Sequence, residues 1–76
     1  METTTLDCTG LVCPLPVLKA RKALKPLAPG AVLQVLATDR GAVKDFEAFC
    51  RTTGNELVAS HEENGTFVFA IRKTGG

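Results

Sequence analysis

The sequence predicts an α/β (α+β) two-layer sandwich of order β-α-β-α-β-β, a four-stranded mixed sheet with two helices on one face. Three observations carry that expectation. Two segments repeat apolar residues at helical spacing behind helix-starting residues. Four short segments are extended and largely apolar, and Asn64-Gly65 joins the last two as a hairpin turn. Helical and extended segments alternate through the first half, as crossover units do. Right-handed crossovers are expected to leave both helices on the same face if the two connections move in opposite directions across the sheet.

The elements follow in order. Thr4 to Cys8 reads as a first strand, with Thr4, Leu6 and Cys8 on one side and Thr5 and Asp7 on the other. Gly10 breaks it. Pro14 and Pro16 then mark a helix start, because the first turn tolerates a missing N–H. This helix runs to about Lys25. Val17, Ala20, Leu24 and Leu27 form its stripe, with Leu15 and Leu18 beside them, and Pro26, Pro29 and Gly30 end it. Val32 to Ala37 is a buried strand. Thr38 or Asp39 is expected to cap a second helix, whose stripe is Val43, Phe46, Phe49 and Cys50 and whose stop is Gly54. Leu57 to Glu62 and Thr66 to Arg72 complete the sheet.

Composition narrows the function. The 76 residues make one domain, 1–76, too small for a large cavity and a catalytic framework together. A net charge of +1 argues against direct nucleic-acid binding, and the absence of Trp and Tyr removes most stacking platforms for single strands. No apolar run approaches the roughly 20 residues of a membrane span, and the N-terminus lacks a signal peptide's pattern. A cytoplasmic location is therefore the expectation. Three cysteines, Cys8, Cys13 and Cys50, are an odd number, unlike a disulfide scaffold.

Cys13, followed by Pro14 and Pro16, is the candidate reactive group. Beside a helix N-terminus, the partial positive charge and free N–H groups favour a thiolate. The alternative reading is a small apolar residue ahead of a proline-started helix. His61 reads as a solvent-facing strand residue beside Glu62 and Glu63 rather than a base for Cys13. Cys8, Cys13 and His61 have looser spacing than zinc motifs. No metal and no cofactor are expected.

The run Leu6-Asp7-Cys8-Thr9-Gly10-Leu11-Val12-Cys13-Pro14-Leu15-Pro16 resembles the signature of the TusA/SirA/YedF family of small sulfur-carrier proteins. Asp7, Gly10, Cys13, Pro14, Pro16, Arg21 and Lys22 match its pattern of Asp, Gly and Cys-Pro-x-Pro ahead of a basic pair. The likeness continues through Thr38-Asp39, the Asp45-Phe46 helix with Phe49-Cys50, and Ile71-Arg72-Lys73. It implies the same sandwich fold. It also implies that Cys13 accepts sulfane sulfur as a persulfide from a cysteine desulfurase or rhodanese-like donor. The acceptors it implies are sulfur-relay proteins serving tRNA 2-thiolation, molybdenum-cofactor maturation or sulfur oxidation. In that role the chain is a sulfurtransferase component rather than a stand-alone enzyme.

Lys19, Arg21, Lys22 and Lys25 read either as a docking face for an acidic partner or as a solvated helix face. Arg40 stands where many relatives carry proline, and adds a cation near the second helix. Asp7 reads as structural, bonding backbone N–H groups at the turn. Cys8 is a second thiol close in sequence, either inward-facing or a resolving partner for Cys13. Two alternatives to the carrier therefore stand beside it: a non-catalytic interaction module on the same fold, and a Cys8/Cys13 thiol-disulfide protein. The terminal Gly75-Gly76 pair also occurs in ubiquitin-like sulfur carriers, but their fold begins with a hairpin, so the pair reads as incidental.

Overall fold

A computed structural model describes residues 3–74, and the Gly75-Gly76 pair lies outside the described residues. Six elements follow in order: β1 Thr3–Cys8, α1 Leu15–Leu24, β2 Val32–Ala37, α2 Ala42–Thr53, β3 Glu56–Glu63 and β4 Thr66–Arg72. The strands form one sheet in the order β1-β2-β4-β3. β1 runs parallel to β2, and β4 lies antiparallel to both β2 and β3. The expected mixed two-layer sandwich is the observed fold.

One detail of the expectation changes. From β1 to β2, and from β2 past β4 to β3, the crossovers progress in the same direction. Two right-handed crossovers that progress the same way leave their helices on one side. α1 and α2 accordingly touch each other over a single sheet face.

The core lies between that face and the helices. Leu33, Val35 and Ala37 of β2 point inward, opposite Ile71, Phe69 and Phe67 of β4. Phe46 of α2 is fully buried; its ring lies 4.7 Å from Phe69, and 6.4 Å from Phe49 edge-on. From α1, the buried residues are Pro16, Ala20 and Leu24. This i, i+4, i+8 row is rotated slightly from the stripe read in the sequence. Pro16 is therefore core as well as a helix starter. Leu15 and Leu18 are 42% and 49% exposed.

The turns behave as their residues require. Asn64 and Gly65 both take left-handed φ, 51° and 85°, the pairing a tight hairpin needs. Gly54 ends α2, donating its N–H to Cys50 O at 2.9 Å. The end of α1 is closed from a distance: Lys73 Nζ donates to the carbonyls of Leu24 and Lys25, both at 2.9 Å. A cation there satisfies carbonyls that have no helical partner.

The N-terminus of α2 departs from the expectation. Its N-cap is Gly41, with no side-chain cap, so neither Thr38 nor Asp39 caps it. Both side chains instead bond backbone groups on the β1–α1 connection. β1 and β2 are parallel neighbours, and Cys8 sits opposite Ala37 at their ends. The two connections therefore leave the sheet side by side.

Candidate functional site

Cys13 sits on the β1–α1 connection, exposed, one residue before the α1 N-cap Pro14, to which it is joined by a cis peptide bond. Its loop is built by short polar contacts. Asp7 Oδ1 accepts from the Thr9 N–H at 2.9 Å and from Thr9 Oγ1 at 2.7 Å. This is the turn-stabilising role its position anticipated. The two bonds hold the Asp7 carboxyl below its ordinary range, the side-chain bond to Thr9 contributing most. Gly10 turns the chain at φ +82°, a conformation a side chain disfavours.

Two bonds from the β2–α2 connection then fasten the loop. Gly10 N–H donates to Thr38 Oγ1 at 2.9 Å, and Cys13 N–H donates to Asp39 Oδ2 at 2.9 Å. Gly41 completes the seam. A Cβ there would meet Asp39 Oδ2 at 3.2 Å and Cys13 Cβ at 3.6 Å, so the start of α2 lies against Cys13.

The thiol itself donates a hydrogen bond to Asp45 Oδ2, from the early part of α2. This contact reverses the electrostatic expectation. The Cys13 thiol is pushed up from its ordinary value, first by the hydrogen bond to Asp45, then by partial desolvation and the negative charges of Asp45 and Asp39. The helix N-terminus has few N–H groups to set against these charges. Pro14 and Pro16 have no N–H, and the Leu15 N–H is taken by Val12 O at 2.9 Å.

The other predicted residues distribute as follows. Cys8 is fully buried in the core, where desolvation raises its thiol first of all. Cys50 is buried on α2. His61 is exposed on β3, 3.6 Å from Glu63, and does not approach Cys13 as a hydrogen-bond partner. Lys19, Arg21, Lys22, Lys25 and Arg40 are all exposed. Arg21 lines a groove of about 280 Å³ between α1 and α2, together with Pro14, Val17, Asp45 and Phe49. A larger groove, about 600 Å³, lies toward the far ends of the helices around Leu24, Asn55 and Lys73 and does not include Cys13 or Asp45. Beside Cys13, Val12 is 65% exposed and joins Leu15 and Leu18 as uncovered apolar surface. Among the described residues, no group of three His, Cys, Asp or Glu side chains could hold a metal ion.

Sequence reasoning did not place Thr38, Asp39 or Asp45 at the cysteine. One available signal was topological: connections leaving the carboxyl ends of adjacent parallel strands converge, and sites form there. In this chain those connections are 9–14 and 38–41.

A family model described as "Sulfurtransferase TusA" matches residues 4–73. The chain is 56% identical over 69 residues to a sulfur carrier protein TusA of Allochromatium vinosum, covering 91% of each protein. It is 54% identical over 72 residues to a putative sulfur carrier protein of Neisseria meningitidis, covering 95% of this chain and 97% of the relative. A SirA-like protein of Desulfitobacterium hafniense superposes with a TM-score of 0.83 at 29% identity, over 93% of this chain and 97% of that one. With the fold and nearly the full length in agreement, the chain belongs to the TusA family.

Proposed function

We propose that this chain carries sulfane sulfur as a persulfide on Cys13. The sulfur comes from a cysteine desulfurase or rhodanese-like donor and goes to an acceptor protein of a sulfur relay. The observation that carries the reading is Cys13 itself: an exposed thiol, on a loop pinned to the neighbouring connection, at the head of α1. A carrier needs its sulfur within reach of another protein's active site. Exposure beyond the helix end supplies that reach, and the small domain supplies little bulk to obstruct it. Similarity to relatives named sulfur carrier proteins supports the same reading.

Docking in this proposal uses the surface around the loop. Val12, Leu15 and Leu18 offer apolar contact, and Lys19, Arg21, Lys22, Lys25 and Arg40 add exposed positive charge. Exposed apolar residues rimmed by charge are the composition of a protein-interaction surface, here for an acidic partner. Asp7, Gly10, Pro14 and Pro16 shape the loop. The acceptors are proteins of tRNA-thiolation, molybdenum-cofactor or sulfur-oxidation routes, and the setting is cytoplasmic. Burial of Cys8 disfavours a Cys8/Cys13 dithiol mechanism.

The test is intact-mass measurement after incubation with a cysteine desulfurase and cysteine. Wild type gains the mass of one sulfur atom and Cys13→Ser does not. An increment that survives Cys13→Ser refutes the proposal.

A further inference from the structure

Cys13 is exposed, yet its proton is held. The Sγ donates to Asp45 Oδ2, and that carboxylate is its one hydrogen-bond partner among the described residues. Asp45 sits on a twelve-residue helix whose start is backed against Cys13 through Gly41. Asp45 is thus placed by helix backbone that packs against the Cys13 connection. The surrounding charges are few. Asp39 faces the same thiol from the β2–α2 connection, but the Cys13 N–H engages its Oδ2. Arg40 and Lys44 neighbour the two acids in sequence, and Arg21 of α1 lines the groove that Asp45 shares. The sole histidine lies on β3 beside Glu63.

We propose that Asp45 is the proton relay for sulfur transfer at Cys13. The inference rests on the carrier reading of that cysteine. In loading, Cys13 Sγ bonds to the terminal sulfur of a donor persulfide, R–S–SH, and the donor S–S bond breaks. Asp45 takes the Cys13 proton and passes it to the departing R–S⁻, so that Cys13–SH and R–S–SH become Cys13–S–SH and R–SH. Delivery runs the other way. An acceptor thiol attacks the terminal sulfur, the bond to Cys13 breaks, and the acceptor's proton reaches Sγ through Asp45. The sulfane sulfur keeps its oxidation level throughout, so neither half needs an oxidant or reductant. A leaving cysteine thiolate beside two carboxylates is disfavoured, and protonation at Asp45 removes that penalty.

Asp45→Asn separates this role from mere packing, because it moves two readouts in opposite directions. Loss of the carboxylate frees the thiol proton, so iodoacetamide alkylates Cys13 faster at neutral pH than in wild type. Sulfur loading from a cysteine desulfurase, followed by intact mass, falls by about a hundredfold, the lower end for a positioned acid–base group. Asp45→Glu recovers part of the loading. In wild type, loading does not climb with pH in step with alkylation. Asp45→Asn loading as fast as wild type, or faster together with alkylation, overturns the relay and leaves the carrier reading intact. Wild type that takes no sulfur on Cys13 overturns the carrier reading and the relay with it. The wild-type pH comparison stands even where a variant folds poorly.

Discussion

The Cys13 loop is fastened by Thr38 and Asp39, and removing each fastener loosens a different amide. Thr38→Val keeps the side-chain shape and deletes the acceptor of the Gly10 N–H. A neutral hydrogen bond contributes about 1 kcal/mol net, which is about a fivefold change in local opening. Asp39→Ala deletes the acceptor of the Cys13 N–H. A charged acceptor is worth about 1.5–3 kcal/mol, and solvent access places this one at the low end, about tenfold. Fast amide exchange measured by water-saturation NMR reads both. Thr38→Val accelerates Gly10 most, and Asp39→Ala accelerates Cys13 most. Gly54, bonded to Cys50 O at the far end of α2, serves as the unaffected control. Asp39→Asn keeps an oxygen at the same place, so Cys13 remains protected while the thiol loses one of the charges that raise it. Wild-type exchange rates at Gly10 and Cys13 in the first two variants would refute the view that this connection holds the loop.

Two further outcomes follow from the fold. Phe46→Ala removes a fully buried ring in contact with Phe69 and Phe49, and is expected to cost about 3–5 kcal/mol. A chain of this length has roughly 4–11 kcal/mol in all, so urea unfolding shows a large drop in midpoint, and an unchanged midpoint contradicts the core described above. Asp7 has a folded pKa below its ordinary value because Thr9 donates to it. Its contribution is present above that ordinary value and is lost as pH falls through the folded one. The stability gap between wild type and Asp7→Asn therefore narrows toward acid pH, and a gap that widens instead excludes the Thr9 bonds as its cause.

Local patterns were legible in the sequence. The alternating Thr4, Leu6 and Cys8, the stripe through Phe46, Phe49 and Cys50, the Gly54 stop and the Asn64-Gly65 turn all involve neighbours within a few positions. Each took the form its spacing predicted. The side of α1 was less clear, because Leu15, Pro16, Val17 and Leu18 are all apolar and periodicity alone cannot choose among them. Burial chooses Pro16 and leaves the two leucines exposed. The partners of Cys13 were the least legible. Thr38 bonds across 28 positions from Gly10, and Asp39 and Asp45 across 26 and 32 from Cys13. Thr38 and Asp39 are also good N-cap residue types, so a local reading spends them on α2, whereas the crossover geometry turns them to the loop.

The raised thiol also bears on the proposed sulfur transfer at this cysteine. Thiolate is the reactive form, and an exposed cysteine with a lowered pKa reacts with any oxidant or electrophile it meets. Cys13 is exposed but has two carboxylates beside it and few helix N–H groups left to counter them. The carboxylates favour its protonated form, so the restraint comes from charge rather than from burial. Cys8 and Cys50 obtain the same inertness from the core, where desolvation raises them. The difference is reversibility. A buried thiol is closed to every partner, whereas an acid-held thiol opens whenever its proton can move. Under the proposed carrier role, a proton-accepting group docked beside Asp45 weakens the restraint at the moment of contact, and reactivity is then confined to the encounter complex. In that proposed role, specificity resides in the surface around the loop and not in the nucleophilicity of the free sulfur.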